Sequence, residues 1–580
     1  MFTRKQAYAL AEEWTREPFD AATREEVAAM LEKDDETAIM DRFSMEMEFG
    51  TAGLRGIMGP GIFYMNEYTI AHASRGLADC LNALYPEARD MGVVIGFDCR
   101  HNSEKFAQIT AAVIAAAGIK VYLYQKLGPT PLVPFAVRRL RARAGIMITS
   151  SHNPREYNGY KVYQDNGAQI ISPLDRQISG YISKVGRYTG IDRLPLDEAE
   201  KKGCITMLGN EAVALYTEWA AKTACLRNKQ RVKVLYTPLH GTGYDYVRET
   251  FDRIGFKELH VVPEQRDPDG DFPTVSAPNP EKRDAMELAM HQAAAMQADL
   301  ILATDGDSDR IGAAVRDRNG NYLLLNGNQI GTVMLYYILS HYKEQGKINS
   351  KQFAVASVVS SPLTGRLCEY FGINFHRTLT GFKWMGNVSE EMVQAGGEFI
   401  LAYEEAFGVT FFDSRDKDGV ISIALMAEAA AWCRANGRTL LDLIDEMYLN
   451  CDLYTEGACE KFYEGASGKG RMGEIMERLR TDPPREINGT AVVRFDDVLD
   501  NRSVENGTPC APLDLPSQDL MIFTMADRSW IAVRPSGTEP KIKAYLGTIQ
   551  AVTEDSLAEQ KEKQKQKIAA IQEAAAEMLE

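Results

Sequence analysis

The chain alternates between short, wholly apolar runs and longer stretches with helical periodicity, and the alternation recurs. "VVIGF" (93–97) reads as a buried strand, 108–117 as a helix, "KVYLY" (120–124) as a strand, "PLVPFAVRRLRA" (131–142) as a helix and "GIMIT" (145–149) as a strand. That unit is β-α-β-α-β. A second copy runs from "VKVLY" (232–236) through the helix "DYVRETFDRIG" (245–255), the strand "ELHVVP" (258–263) and a helix over 282–297 to the strand "DLILAT" (299–304). A third runs from "FAVASVV" (353–359) through "INFHRT" (373–378) and a helix over 383–396 to "GEFILAY" (397–403). The tail changes character: "AVVRF", "LMIFTMA", "WIAVRP" and "KIKAYLG" predict short, mostly antiparallel strands, and the Lys-, Gln- and Glu-rich helix from Glu554 onward reads as a solvated face.

In each copy the last strand runs into a polar loop: "SSHNP", "DGDSDR" and "EEAFG". Parallel α/β sheets bind ligands beyond the carboxyl ends of their strands, so the three loops are the first places to look for chemistry.

Composition narrows the class. A chain of 580 residues exceeds the length at which one core keeps growing, which predicts about three to five domains. Counting units places the boundaries near 205, 322 and 450, giving 1–205, 206–322, 323–450 and 451–580. The formal charge of −16, from 65 basic and 81 acidic residues, argues against nucleic acid or an anionic membrane as the main partner. A local basic cluster could still receive an anionic small molecule. Nine scattered cysteines with no C-x-x-C suit a reducing cytoplasm without structural zinc. The opening "MFTRKQAYALAEEWTREPFD" reads as a charged amphipathic helix rather than a signal peptide, and the longest apolar run, 109–119, falls short of the roughly 20 residues a membrane span needs. A soluble, cytoplasmic protein is expected.

In "TDGDSDR", Asp305, Asp307 and Asp309 alternate, and in an extended loop alternate side chains share a side, so three carboxylates can converge on a hard cation such as Mg²⁺. An EF-hand is excluded, because Arg310 and Arg316 occupy the positions that require Gly and Glu. A structural turn is the competing reading, but clustered carboxylates repel one another unless a cation is bound. "RPSGTEPK" (534–541) offers a guanidinium fork, two hydroxyls and a glycine, which suits a phosphate cradle as well as a hairpin turn. It lacks Walker A spacing, and "GASGKG" (465–470) ends in Gly where Ser or Thr belongs. The G-x-S-x-G of a serine hydrolase is absent. A strand-end serine beside a histidine, a metal loop and a separate cradle points to a serine that carries a phosphoryl group.

"TSSHNP", "DGDSDR", "EEAFG" and "RPSGTEPK", in this order over nearly the whole chain, resemble the four signature loops of the alpha-D-phosphohexomutase superfamily, the phosphoglucomutases and phosphomannomutases. The resemblance implies three similar mixed-sheet α/β domains and a smaller α+β C-terminal domain around a central cleft. It makes Ser151 the phosphoserine and a ligand, with Asp305, Asp307 and Asp309, of Mg²⁺. Arg55 of "FGTAGLRG" then faces the phosphoserine, Lys161 of "YNGYK" and His152 act in acid–base chemistry, and Lys417 of "DKDG" lies near the substrate. Thr380 and Lys383 of "TGFKWMGN" and Glu404 of "EEAFG" face the sugar, while Arg534, Ser536, Gly537 and Thr538 hold the distal phosphate.

The implied reaction interconverts a sugar 1-phosphate and its terminal phosphate through a sugar bisphosphate, which also serves as activator, in a monomer or homodimer. An intact Ser151, metal triad and cradle argue against a phosphatase or an inactive phosphosugar-binding protein. One position departs from the family: the sugar loop commonly reads E-x-S, whereas Glu404 and Glu405 are followed by Ala406. "EEA" resembles the branch of phosphopentomutases and related phosphoglucomutases. Glucose phosphates are the first expectation, with ribose or deoxyribose 1-phosphate and mannose phosphates as alternatives.

Overall fold

The computed structural model describes residues 2–47, 49, 53–224, 232–463, 465–536 and 541–580. The chain forms two compact units, 1–324 with 408–431, and 325–407 with 432–580.

In the first unit, three N-terminal helices, Arg4–Glu13, Ala21–Glu32 and Glu36–Phe43, are capped by the side chains of Thr3, Asp20 and Asp35. They close over Trp14, Phe19 and Phe43, and Tyr68 Oη binds Asp20. A six-stranded sheet follows: β1 (Leu54–Ile57), β2 (Val93–Phe97), β3 (Val121–Tyr124), β4 (Ala144–Ile148), β5 (Tyr157–Gln164) and β6 (Ile205–Leu208), in the order β1-β5-β4-β2-β3-β6. β4, β2, β3 and β6 are parallel, and β5 and β1 are antiparallel additions. The second sheet contains β7 (Val234–Thr237), β8 (Leu259–Val261), β9 (Leu300–Thr304), β10 (Ile311–Arg316) and β11 (Tyr322–Leu324), ordered β11-β10-β9-β7-β8.

The second unit carries β12 (Gln352–Ser357), β13 (Asn374–Thr378) and β14 (Glu398–Glu404), parallel in the order β13-β12-β14. The three repeats read from hydrophobicity therefore share one topology, third strand, first strand, second strand. β2, β4, β7, β9 and β12 are buried along their whole length, which is why they read as unbroken apolar runs. β15 (Gly408–Phe411) belongs to the first unit, where Gly408 bridges Arg310.

The C-terminal sheet comprises β16 (Leu453–Phe462), β17 (Glu486–Ile487), β18 (Thr490–Asp497), β19 (Arg502–Glu505), β20 (Thr508–Cys510), β21 (Met521–Met525), β22 (Trp530–Pro535) and β23 (Lys541–Gln550). It is antiparallel in the order β16-β23-β22-β21-β18-β19-β20, with β17 beside β18.

The final helix, Leu557–Met578, differs from its expected solvated role. Leu557, Gln564, Ile568, Ile571 and Ala575 form a buried stripe, and Ile568, Ile571 and Ala575 share a core with Phe523, Ile531 and Leu546. The charged residues fill the remaining faces; composition averaged around the helix hides a narrow apolar seam. No helix among the described residues is long and apolar enough to cross a membrane.

Ile571→Ala should lower the stability of the second unit by about 2–5 kcal/mol, whereas Lys565→Ala on the exposed face should change it by less than about 0.5 kcal/mol. Denaturant titration read by tryptophan fluorescence distinguishes the two, and equal effects would mean that the seam is not a core.

Candidate functional site

Two polar loops meet in the first unit. The segment after β4 carries Ser151, and the segment after β9 carries the aspartates. They pack backbone against backbone: a Cβ on Gly306 would lie 2.9 Å from the Ser151 carbonyl oxygen, so the contact requires glycine. Ser151 (φ 54°) and Ser308 (φ 55°) both adopt the left-handed conformation, a local strain typical of functional turns. Ser151 Oγ donates to Asp305 Oδ2 at 2.6 Å, and His152 Nδ1 lies 3.3 Å from Ser151 Oγ.

Asp305, Asp307 and Asp309 are fully buried, and one oxygen from each lies within 4.8 Å of the others. They converge, as expected, but through a tight turn rather than an extended loop. Ser308 N donates to the Asp305 carbonyl at 3.0 Å, while Asp309 N and Arg310 N donate to Asp305 Oδ1 at 3.1 and 3.0 Å. Asp305 thus caps its own turn, an arrangement that side-chain alternation does not anticipate.

Lys161 on β5 places Nζ 2.8 Å from both Asp307 Oδ2 and Asp309 Oδ2. Lys417 Nζ is 3.4 Å from Asp309 and 3.9 Å from Asp416. Burial, followed by repulsion from Asp307 and Asp309, drives the Asp305 carboxyl well above the ordinary range. Burial pushes Asp307 the same way, but the Lys161 ammonium and the Thr130 hydroxyl outweigh it and hold that carboxyl low. Burial disfavours the Lys161 cation, yet Asp307, Asp309 and Asp416 more than offset this and raise its pKa. The His152 imidazole is held well below its ordinary pKa by burial and by Arg310, Arg55, Lys161 and Arg100.

The carboxylates fit a cation. Asp307 Oδ1 and Asp309 Oδ1 are buried and accept no hydrogen bond, although each lies beside oxygens able to share a metal. Hard oxygen donors in this number suit a small divalent ion.

Arg55 on β1 reaches Asn153 Oδ1 at 3.4 Å, which places it beside the serine loop. The first unit thus gathers Arg55, Ser151, His152, Lys161, the three aspartates and Lys417. In the second unit, Arg534 at the end of β22 donates to Thr380 Oγ1, and Lys383, close in sequence, is buried at the start of the helix Phe382–Gln394. Ser536 N donates to the Lys541 carbonyl at 2.8 Å. Glu404 ends β14 and Ala406 is half-buried in the following turn, where Phe407 has φ 66°. Gly537 and Thr538 lie outside the described residues.

Sequence reasoning passed over several groups that hold this arrangement. Thr130 Oγ1 donates to Asp307 Oδ2 at 2.5 Å, and Gln169 Nε2 donates to Asp416 Oδ2 at 2.9 Å. Tyr216 Oη donates to Asp418 Oδ1 at 2.9 Å, directly beyond Lys417. Asp98 and Arg100 follow β2, and their position at a parallel strand's carboxyl end was the available signal.

Three domains of the phosphoglucomutase/phosphomannomutase family match the chain: alpha/beta/alpha domain I at 46–189, domain II at 215–320 and domain III at 326–450. A phosphoglucomutase of Staphylococcus epidermidis is 35% identical over 504 residues, covering 86% of this chain and 90% of that protein. A phosphopentomutase of Pongo abelii is 33% identical over 560 residues, covering 92% and 90%. The solved structure of a phosphoglucomutase/phosphomannomutase family protein from Burkholderia thailandensis has a similar fold, with a TM-score of 0.64 at 17% identity over 90% of this chain and 97% of that one. Matched along nearly its whole length, and with a serine, three aspartates and a lysine assembled from separate repeats, the chain belongs to the alpha-D-phosphohexomutase superfamily.

Proposed function

We propose that this protein is a phosphosugar mutase that interconverts glucose 1-phosphate and glucose 6-phosphate through phosphorylated Ser151 and a glucose bisphosphate. The observation that carries this reading is Ser151 Oγ at 2.6 Å from Asp305, inside a buried three-carboxylate cluster flanked by Lys161 and His152.

In the forward half-reaction the bond between Ser151 Oγ and phosphorus breaks as a bond forms from phosphorus to the sugar's free hydroxyl oxygen. The hydroxyl proton is lost and Oγ gains one. The bisphosphate reorients, the other phosphoryl returns to Oγ, and the net change is an isomerisation that consumes no water. His152 stands beside Oγ, where protons must move; Lys161, held by Asp307 and Asp309 in the same cluster, joins it in acid–base chemistry, and Arg55 offsets phosphate charge. Asp305, Asp307 and Asp309, with an oxygen at Ser151, would hold Mg²⁺, which when bound neutralises charge on the transferring group. Lys417 extends the cationic wall toward the substrate.

Arg534, Thr380, Lys383, Ser536, Gly537 and Thr538 would hold the phosphate that is not reacting, with Glu404 reading sugar hydroxyls. We assign one signature loop to each of four domains, 1–205, 206–322, 323–450 and 451–580. Ala406 favours a second reading. Its methyl cannot hydrogen-bond a sugar hydroxyl, and the relative in Pongo abelii is named a phosphopentomutase, so ribose or deoxyribose 1-phosphate is the alternative substrate.

Ser151→Ala should abolish turnover and phosphoryl uptake from glucose 1,6-bisphosphate. Ser150→Ala should keep most activity, because the Ser150 hydroxyl is buried without a partner and its loss leaves nothing unsatisfied. Peptide mapping that placed the phosphate on Ser150 would overturn the assignment. Asp307→Asn should weaken Mg²⁺ binding by at least about tenfold in calorimetry, with turnover falling in parallel and the fold retained. Full activity in chelator at zero metal content would rule out the metal. Ala406→Ser should shift kcat/KM by roughly two- to tenfold toward glucose 1-phosphate over ribose 1-phosphate, the size of one neutral hydrogen bond. An identical ratio in direct competition would remove residue 406 from sugar selection.

A further inference from the structure

A single buried guanidinium captures the backbone of the whole serine loop. Arg100 and Asp98 have completely buried side chains, with Arg100 Nε 3.3 Å from Asp98 Oδ2. One terminal nitrogen of Arg100 donates to the carbonyl oxygens of Ser151 at 2.7 Å and Asn153 at 2.5 Å. The other donates to those of Pro154 at 2.8 Å and Tyr157 at 3.2 Å. Four carbonyls of the loop, from residues 151 to 157, therefore point at one planar fork, which itself lies over the buried ring of Phe272 at 5.0 Å. Asp98 completes the arrangement. It accepts from Thr149 Oγ1 at 2.6 Å, from Ser103 Oγ at 2.6 Å and from Arg100 N at 3.0 Å. With its proton committed to Asp98, Thr149 Oγ1 turns a lone pair to Ser151 N, which donates to it at 2.8 Å.

We propose that Arg100, locked by Asp98 and Phe272, is a positioning residue that holds Ser151 in its left-handed conformation and so aims Oγ at Asp305. Drawing the Ser151 carbonyl toward Arg100 fixes one side of that residue, and Thr149 fixes its amide on the other. Little rotation is then left to the strained residue between them, and the 2.6 Å contact from Oγ to Asp305 follows. Lysine cannot substitute, since an ammonium has three donors on one atom and cannot span the four carbonyls that two separate nitrogens reach. The inference extends the mutase reading, on which its kinetic part rests.

Arg100→Lys should lower kcat by about 10²-fold, the cost of a small misplacement of a reacting group, while KM stays within about twofold because Arg100 touches no residue assigned to the sugar or its phosphates. Rapid-quench transfer of phosphoryl from glucose 1,6-bisphosphate to Ser151 should slow by the same factor. Amide hydrogen exchange should accelerate at 151–158 and stay unchanged in the C-terminal sheet. A kcat within twofold of wild type together with unaltered exchange at 151–158 would overturn the proposal. If Arg100→Lys does not fold, Phe272→Leu removes the ring beneath the fork and leaves every donor in place. It should lower kcat roughly three- to tenfold and loosen the same amides, and no change in either overturns the proposal equally. Should wild-type protein take up no phosphoryl on Ser151, the mutase reading fails, and the exchange rates alone decide the clamp.

Discussion

Three carboxylates buried within 4.8 Å of one another are the constraint on which the first unit is organised. In water their mutual repulsion would be slight; away from it, each unit of negative charge needs a cation or a donor close by. The fold supplies them from several directions. Lys161 comes from β5, which pairs antiparallel with both β1 and β4, Lys417 from the segment that follows β15, Thr130 from the loop after β3, and Asp305 uses its own turn's amides. What this leaves unsatisfied, one oxygen each on Asp307 and Asp309, is the chemical opening through which a divalent ion fits.

Repetition of one supersecondary unit explains how the loops reach their places. In each repeat the third strand lies beside the first, and its carboxyl end carries a polar turn. Each of those turns also contains one non-glycine residue with positive φ, Ser151, Ser308 or Phe407. Such residues cost about 1 kcal/mol or more and persist only when their surroundings over-determine them. Here the surroundings are visible: Arg100 and Thr149 about Ser151, and Gly327 against the turn at 405–407, where a Cβ would lie 2.1 Å from the Glu405 carbonyl oxygen.

The second unit brings polar and cationic side chains together at its own strand and helix ends. Arg534 at a strand end meets Thr380, and both stand near the start of the helix whose second residue is Lys383. Glu405, next to Ala406, is held through its carboxylate by Ser357 Oγ at 3.3 Å and Ser360 Oγ at 3.4 Å. The residue before Ala406 is therefore anchored through its side chain.

The sequence by itself was enough for the repeats, the strand-end loops and the grouping of a serine with three aspartates. Apolar runs report burial on both faces, and four polar signatures in fixed order report a family. It was not enough for Arg100 or Asp98, whose short "DCR" stretch resembles any polar turn until the fold brings the 151–157 carbonyls around it. The turn at 305–309 likewise differed from the extended loop that alternation suggested, because Asp305 bonds the amides of residues four and five positions later. The final helix read as solvated, because its apolar seam is narrow and its partner strands lie in the C-terminal sheet. Side-chain chemistry and local periodicity are written along the chain; which backbone groups a buried charge must satisfy depends on segments far apart in sequence, and only tertiary packing brings those together.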